Sequence, residues 1–166
     1  MMIFLGLILI TTTVIALFKG TLFKGILERI KELAADYRDN YYDRSEAEYA
    51  KAMVLNMMPV ILGGSSLLLI QLIFLVNIVS VPFVSIQIAT IAMMSLIIFS
   101  FLKSINKASN KKREIKSATV LEKVILQKQA ADDLANLKTR TLQGTIINTI
   151  SLVYYIAAVA VLLILL

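Results

Sequence analysis

The sequence predicts an all-α integral membrane protein with four transmembrane helices, N-out/C-out, and two helical cytoplasmic segments. Three observations predict it. Hydrophobic residues make up 58% of the 166-residue chain and charged residues 17%, against roughly 25% charged in a soluble domain. Charge is missing from three long stretches: no Asp, Glu, Lys or Arg occurs in 1–18, 52–102 or 141–166. Finally, all 17 Lys and Arg residues fall in two blocks, 19–51 and 103–140.

Each span follows from the length of its uncharged run, because a membrane helix needs about 20 apolar residues. The first run holds one span, about 2–18. It lacks the basic n-region and A-x-A site of a cleaved signal peptide, and its first lysines, Lys19 and Lys24, come after it. The 51-residue middle run holds two spans, about 54–78 and 83–102, joined near "VNIVSVPF", where Asn77, Ser80 and Pro82 cluster. Pro82 suits the first turn of a helix because it has no N–H to leave unpaired. The last run holds a fourth span, about 144–165. The whole chain reads as a single membrane domain.

Orientation follows from the basic residues. An even number of spans separates the two charged blocks, so both lie on one side. Lys and Arg next to span ends mark the cytoplasmic face. The segments 19–52 and 103–143 are therefore expected in the cytoplasm and both termini outside, with the plasma membrane of a prokaryote as the expected location.

The first cytoplasmic block predicts an amphipathic helix. Leu22, Ile26, Ile30, Leu33, Tyr37 and Tyr41 share one stripe, with Lys24, Glu28, Arg29, Lys31 and Glu32 largely off it. Gly20 and Gly25 allow a bend at the membrane surface. The pattern admits a helix lying on the membrane or projecting from it. The helix should weaken at "RDNYYDR", and Ser45 with Glu48 forms an S-x-x-E capping box for the next helix. Pro59 should kink that helix or mark its effective start.

In the second block, six basic residues, Lys103, Lys107, Lys111, Lys112, Arg113 and Lys116, surround one acid, Glu114. Holding the exit of the third span on the cytoplasmic side explains them. They are also candidate contacts for membrane lipids, anionic ones in particular, or for a partner. Nucleic acid is not expected, because single-strand binders interleave aromatics with charge and no Phe, Tyr or Trp occurs between Phe101 and Tyr154. Thr119 with Glu122 makes a T-x-x-E capping box. From Val120 the pattern predicts one helix to about residue 165, with Gly144 its weak point. Leu121, Val124, Ile125, Ala131, Leu134 and Ala135 form an apolar face that needs a cover: the first block, a second copy or another subunit.

The spans carry no Asp, Glu, Lys, Arg or His, which proton pumps and ion-coupled transporters usually place there. Their polar residues are neutral, among them Asn56, Gln71, Asn77, Gln87 and Asn148. Gly63, Gly64, Ser65, Ser66, Gln71 and Asn148 are candidates for interhelical packing and hydrogen bonding, as are the small residues Ala157, Ala158 and Ala160. Tyr154 and Tyr155 fall mid-span and are expected to pack on a neighbouring helix. The chain has no Cys and no His, so thiolate sites, disulfides and the commonest general base are missing. No nucleotide, metalloprotease or paired-carboxylate pattern stands out. No catalytic, cofactor-binding or metal-binding residues are expected, and no cofactor.

These readings favour a non-catalytic, multi-pass subunit of a larger membrane complex, associating with other membrane subunits or copies of itself. A homo-oligomeric pore of the holin kind is an alternative. Another rests on "EYAKAMVLNMMPVILGG", at the entry to the second span, which resembles the Met-rich entry of the Oxa1/YidC superfamily of membrane insertases. That resemblance implies an outside N-terminus, one span, a cytoplasmic helical hairpin and then two further spans. Here the hairpin segment is short, a fourth span is added, and no basic residue lies in the region of that family's groove.

Overall fold

The computed structural model describes residues 1–40, 46–138 and 141–166, apart from the side chains of Glu46, Lys112, Ile115, Lys116, Val120 and Leu121. Those residues form six helices: α1 (Met2–Lys19), α2 (Lys24–Asp39), α3 (Glu46–Val79), α4 (Val84–Ser117), α5 (Val120–Ala135) and α6 (Leu142–Ile164). α1, α3, α4 and α6 each contain a stretch long and apolar enough to cross a membrane. The chain divides into two compact units, one of residues 1–24, 62–99 and 139–166, the other of residues 25–61 and 100–138.

Local chemistry sets most helix ends. α1 stops at Gly20, whose φ of 79° is left-handed, a conformation that glycine adopts without a Cβ penalty. The α3–α4 turn falls where Ser80 and Pro82 predict it. There Gln87 donates its amide to the carbonyls of Val79 and Val81, at 3.2 and 3.0 Å, satisfying acceptors that a helix end leaves open. The Thr119–Glu122 capping box is present: the Thr119 N–H donates to Glu122 Oε2 at 2.7 Å and Thr119 Oγ1 faces the Glu122 N–H. The Ser45 box and Tyr41 lie outside the described residues.

Two helix expectations need correction. Pro59 does not mark the start of α3, which runs unbroken from Glu46 to Val79. The thirteen residues ahead of the proline are held through Tyr49 and Met53, which pack on α2. Nor is there one helix from 120 to 165. α5 ends at Ala135, where the Asn136 N–H bonds to Asp132 O and the Asn136 amide to Asp132 Oδ1 at 3.1 Å. α6 begins after Thr141, whose Oγ1 accepts from the Gly144 N–H at 3.1 Å. The Thr141 hydroxyl offers the backbone a local alternative that starts a new helix, whereas the Asn136 side chain ties only to the Asp132 carboxylate at the end of α5.

All four apolar helices build the core of the first unit: Leu9 from α1, Phe74, Leu75 and Ile78 from α3, Ile86 and Met93 from α4, and Tyr154, Tyr155, Ala158 and Val159 from α6. α1 lies along α6. Gly6 permits the approach, because a Cβ there would overlap Val159 Cγ2 and lie 3.0 Å from Phe74 Cε2.

The second unit has a much smaller core. α2 and the start of α3 pair antiparallel, with Ile30 and Ala34 against Met53 and the rings of Tyr37 and Tyr49 stacked 3.8 Å apart. Leu134 and Ala135 of α5 pack on this cluster. The first block thus covers the C-terminal end of α5's apolar face, while Ile125 on the same face remains half exposed.

Candidate functional site

Two places concentrate chemistry, one in each unit. In the first unit, four polar side chains from three helices meet inside the apolar core. Tyr154 OH and Thr90 Oγ1 share a hydrogen bond of 2.7 Å, and Thr90 also donates to Ile86 O. The Gln71 amide donates to Tyr155 OH. Phe74 meets Tyr155 edge to face, with ring centroids 6.0 Å apart. Thr90 is fully buried, so its hydroxyl needs these partners. With every member neutral and paired, the layer holds α3, α4 and α6 in one register; it presents no nucleophile activated by a base.

Of the residues expected to pack between helices, Gln71 belongs to this layer. Gly63 faces the Phe23 ring, where a Cβ would come within 2.8 Å of it. Gly64 has nothing within 4 Å of its Cβ position. Ser65 and Ser66 are exposed, and Ser66 bonds back to Leu62 O. Asn148 is half-buried on α6. Sequence reasoning missed Thr90, Gly6 and the Gln87 clamp. Thr90 and Gly6 are single small residues in helices that are apolar on most faces, so no periodicity singles them out. The closeness of Gln87 to the predicted turn was a usable signal.

In the second unit the charged residues are placed on helix surfaces. Arg38 bridges Asp39 at 2.8 Å and Asp132 of α5 at 3.1 Å. Its bond with Arg38 holds the Asp39 carboxyl below the usual range. The Thr119 N–H does the same for Glu122. Among the described residues no group of three acidic side chains is placed to hold a metal ion.

The basic run lies on the last turns of α4, which continue from the apolar stretch as one helix. Lys103, Lys107, Lys111 and Arg113 are exposed; Lys112 and Lys116 have side chains outside the description. Lys111 reaches Asp133 of α5 at 3.9 Å, a long, exposed pair of little energetic weight. Every residue from Ser100 to Lys111 is exposed, so no face of these three turns is buried. The residues fall into two rows. Lys103, Lys107 and Lys111 recur every four positions on one side, and Phe101, Ile105 and Ala108 lie on the other. Phe101 is 55% exposed and Ile105 49%. No protein-family model, curated protein or solved structure matches the chain.

Proposed function

We propose that the chain is a non-catalytic, multi-pass subunit of a larger membrane assembly. In this reading the four apolar helices cross the plasma membrane of a prokaryote, the charged segments lie in the cytoplasm and both termini lie outside. One observation carries it: the exposed turns of α4 over 103–111, past the end of the third span, with Ile105 and Ala108 on the side opposite the lysines. A helix outside lipid draws most of its stability from packing on an apolar face. A second polypeptide seated on that side would supply the packing.

A photoreactive residue at position 105, expressed in native membranes, tests the proposal. The expected result is a crosslink to a different polypeptide, which also co-purifies after gentle detergent extraction. A chain that crosslinks to nothing and runs as a monodisperse monomer overturns it.

One arrangement favours the insertase alternative. The antiparallel α2–α3 pair, with Tyr37 on Tyr49, follows one apolar helix and leads into two more, which is the order that resemblance implies. Reconstituted vesicles would decide it: client insertion no higher than in protein-free vesicles removes that reading. A pore has less support, because Gln71, Thr90, Tyr154 and Tyr155 are engaged with one another inside a single copy.

A further inference from the structure

We propose that the lysine row of α4, Lys103, Lys107 and Lys111, binds the headgroups of anionic phospholipids. The inference rests on the membrane reading above and adds a ligand class to it.

The geometry and the charge point the same way. Steps of four residues on an α-helix drift by about 40°, so the three ammonium groups lie within an arc of about 80°. The sequence from 103 to 113 holds five basic residues and no acid. Lys103 directly follows the uncharged run that ends at Leu102. Lys107 lies about 6 Å further along the axis and Lys111 about 12 Å. With a screening length of about 8 Å at physiological salt, Lys103 and Lys107 feel a charged surface at the end of that run strongly and Lys111 less. Among the described residues no ion pair occupies Lys103 or Lys107, and the Lys111–Asp133 contact is long.

The companions of the row distinguish lipid from protein. Over 103–111, Ser104 and Asn110 flank the lysines, so that stretch of the lysine side has no aromatic or large apolar residue of the kind that anchors a protein interface; Phe99, one turn before Lys103 on the same side, belongs to the uncharged run. Ile105 lies on the opposite row, assigned above to a subunit. Mobile headgroups require only concentrated positive charge beside the membrane, whereas a folded acidic partner needs an apolar centre as well.

The test uses the full chain, purified in detergent and titrated with phosphatidylglycerol and with phosphatidylcholine, binding being read by native mass spectrometry. Measuring in detergent separates lipid affinity from membrane orientation, which the same lysines influence during insertion. The expected result is a preference of about tenfold for phosphatidylglycerol, at roughly fivefold per lysine near the headgroup plane less screening. In the triple variant K103Q/K107Q/K111Q the preference falls to within about twofold. Single variants rank by depth, with Lys103→Gln losing most and Lys111→Gln least. The triple Lys→Arg variant keeps the preference, which separates lost charge from a folding defect, and so does K123Q/K128Q on α5. Equal affinity for the two lipids overturns the proposal, as does a preference retained by the triple Gln variant. Loss of a co-purifying polypeptide from that variant, with lipid preference intact, assigns the row to protein and also overturns it. Release of the chain from membranes by alkaline carbonate would instead bring down the membrane reading itself. A chain that stays embedded without lipid preference sinks only this inference.

Discussion

In the unit of residues 1–24, 62–99 and 139–166, Phe74, Thr90, Tyr155 and Ala158 lie wholly or almost wholly inside, and four helices contribute to the same core. In the unit of residues 25–61 and 100–138, Ile30, Ala34 and Met53 make up the buried cluster, and the rest of the order comes from a capping box, a tyrosine stack and exposed ion pairs. The difference is in what a single change can reach. Close packing transmits strain through a whole core. Caps and surface pairs act within a turn or two and are sensitive to pH and salt. The first unit should therefore respond as a whole and the second piece by piece.

The largest effect is expected at Gly6. Even the Cβ of alanine would overlap Val159 Cγ2, and Gly6→Leu should force α1 away from α6. The expected loss is about 1–3 kcal/mol or more, seen as a lower melting temperature in detergent. The comparison survives if Val159→Ala restores part of the loss, and it breaks if Gly6→Leu is neutral.

A middle-sized effect is expected in the buried hydroxyl layer. Tyr155→Phe leaves the Gln71 amide without its acceptor, and Thr90→Val does the same to the Tyr154 hydroxyl. Each should lower stability by about 1 kcal/mol, the scale of a buried or interhelical hydrogen bond. Thr90→Val with Tyr154→Phe should cost less than the two singles added together, because both partners leave at once. Strict additivity would mean that the hydroxyls do not interact.

The smallest global effect belongs to the α5 cap. Thr119→Ala should cost about 0.5–1 kcal/mol locally, read as faster hydrogen exchange in the first turn of α5 with the first unit unchanged. Acid should act at the same place. Glu122 ionises more readily in the fold than its ordinary value of 4.5, so its stabilisation is complete above that pH and disappears as pH falls through the lowered folded value. Protection in that turn, taken relative to the intrinsic exchange rate at each pH, should begin to fall below about pH 4.5 in the wild type, and Thr119→Ala should abolish most of that dependence. A pH response spread evenly over both units would break the comparison.

Much of this was legible in the sequence. The uncharged runs located all four apolar helices, and Ser80 with Pro82 located the α3–α4 turn. The stripe from Ile26 to Tyr37 located α2, and T-x-x-E located the start of α5. The end of α5 at Ala135 and the fresh start of α6 at Leu142 were not read. Helix-favouring residues on both sides concealed Asn136, the C-cap of α5, and Thr141, whose hydroxyl starts α6 by capturing the Gly144 N–H. The inner layer was only partly read. Gln71 stood out as an amide among apolar residues, whereas Thr90 resembled any other threonine in a helix.

By itself the sequence determined where charge can and cannot be, and therefore which stretches become long apolar helices and which carry the basic row beside them. This is a property of the linear chain, because each ion carries its own desolvation cost wherever the helix is placed. Only the tertiary structure decided which faces meet: Gly6 on Val159, Tyr154 on Thr90, Tyr155 on Gln71. A helix that is apolar almost all round has no stripe to mark its inner side, so its rotation is settled by side chains on other helices, through close packing and the pairing of a few buried polar groups.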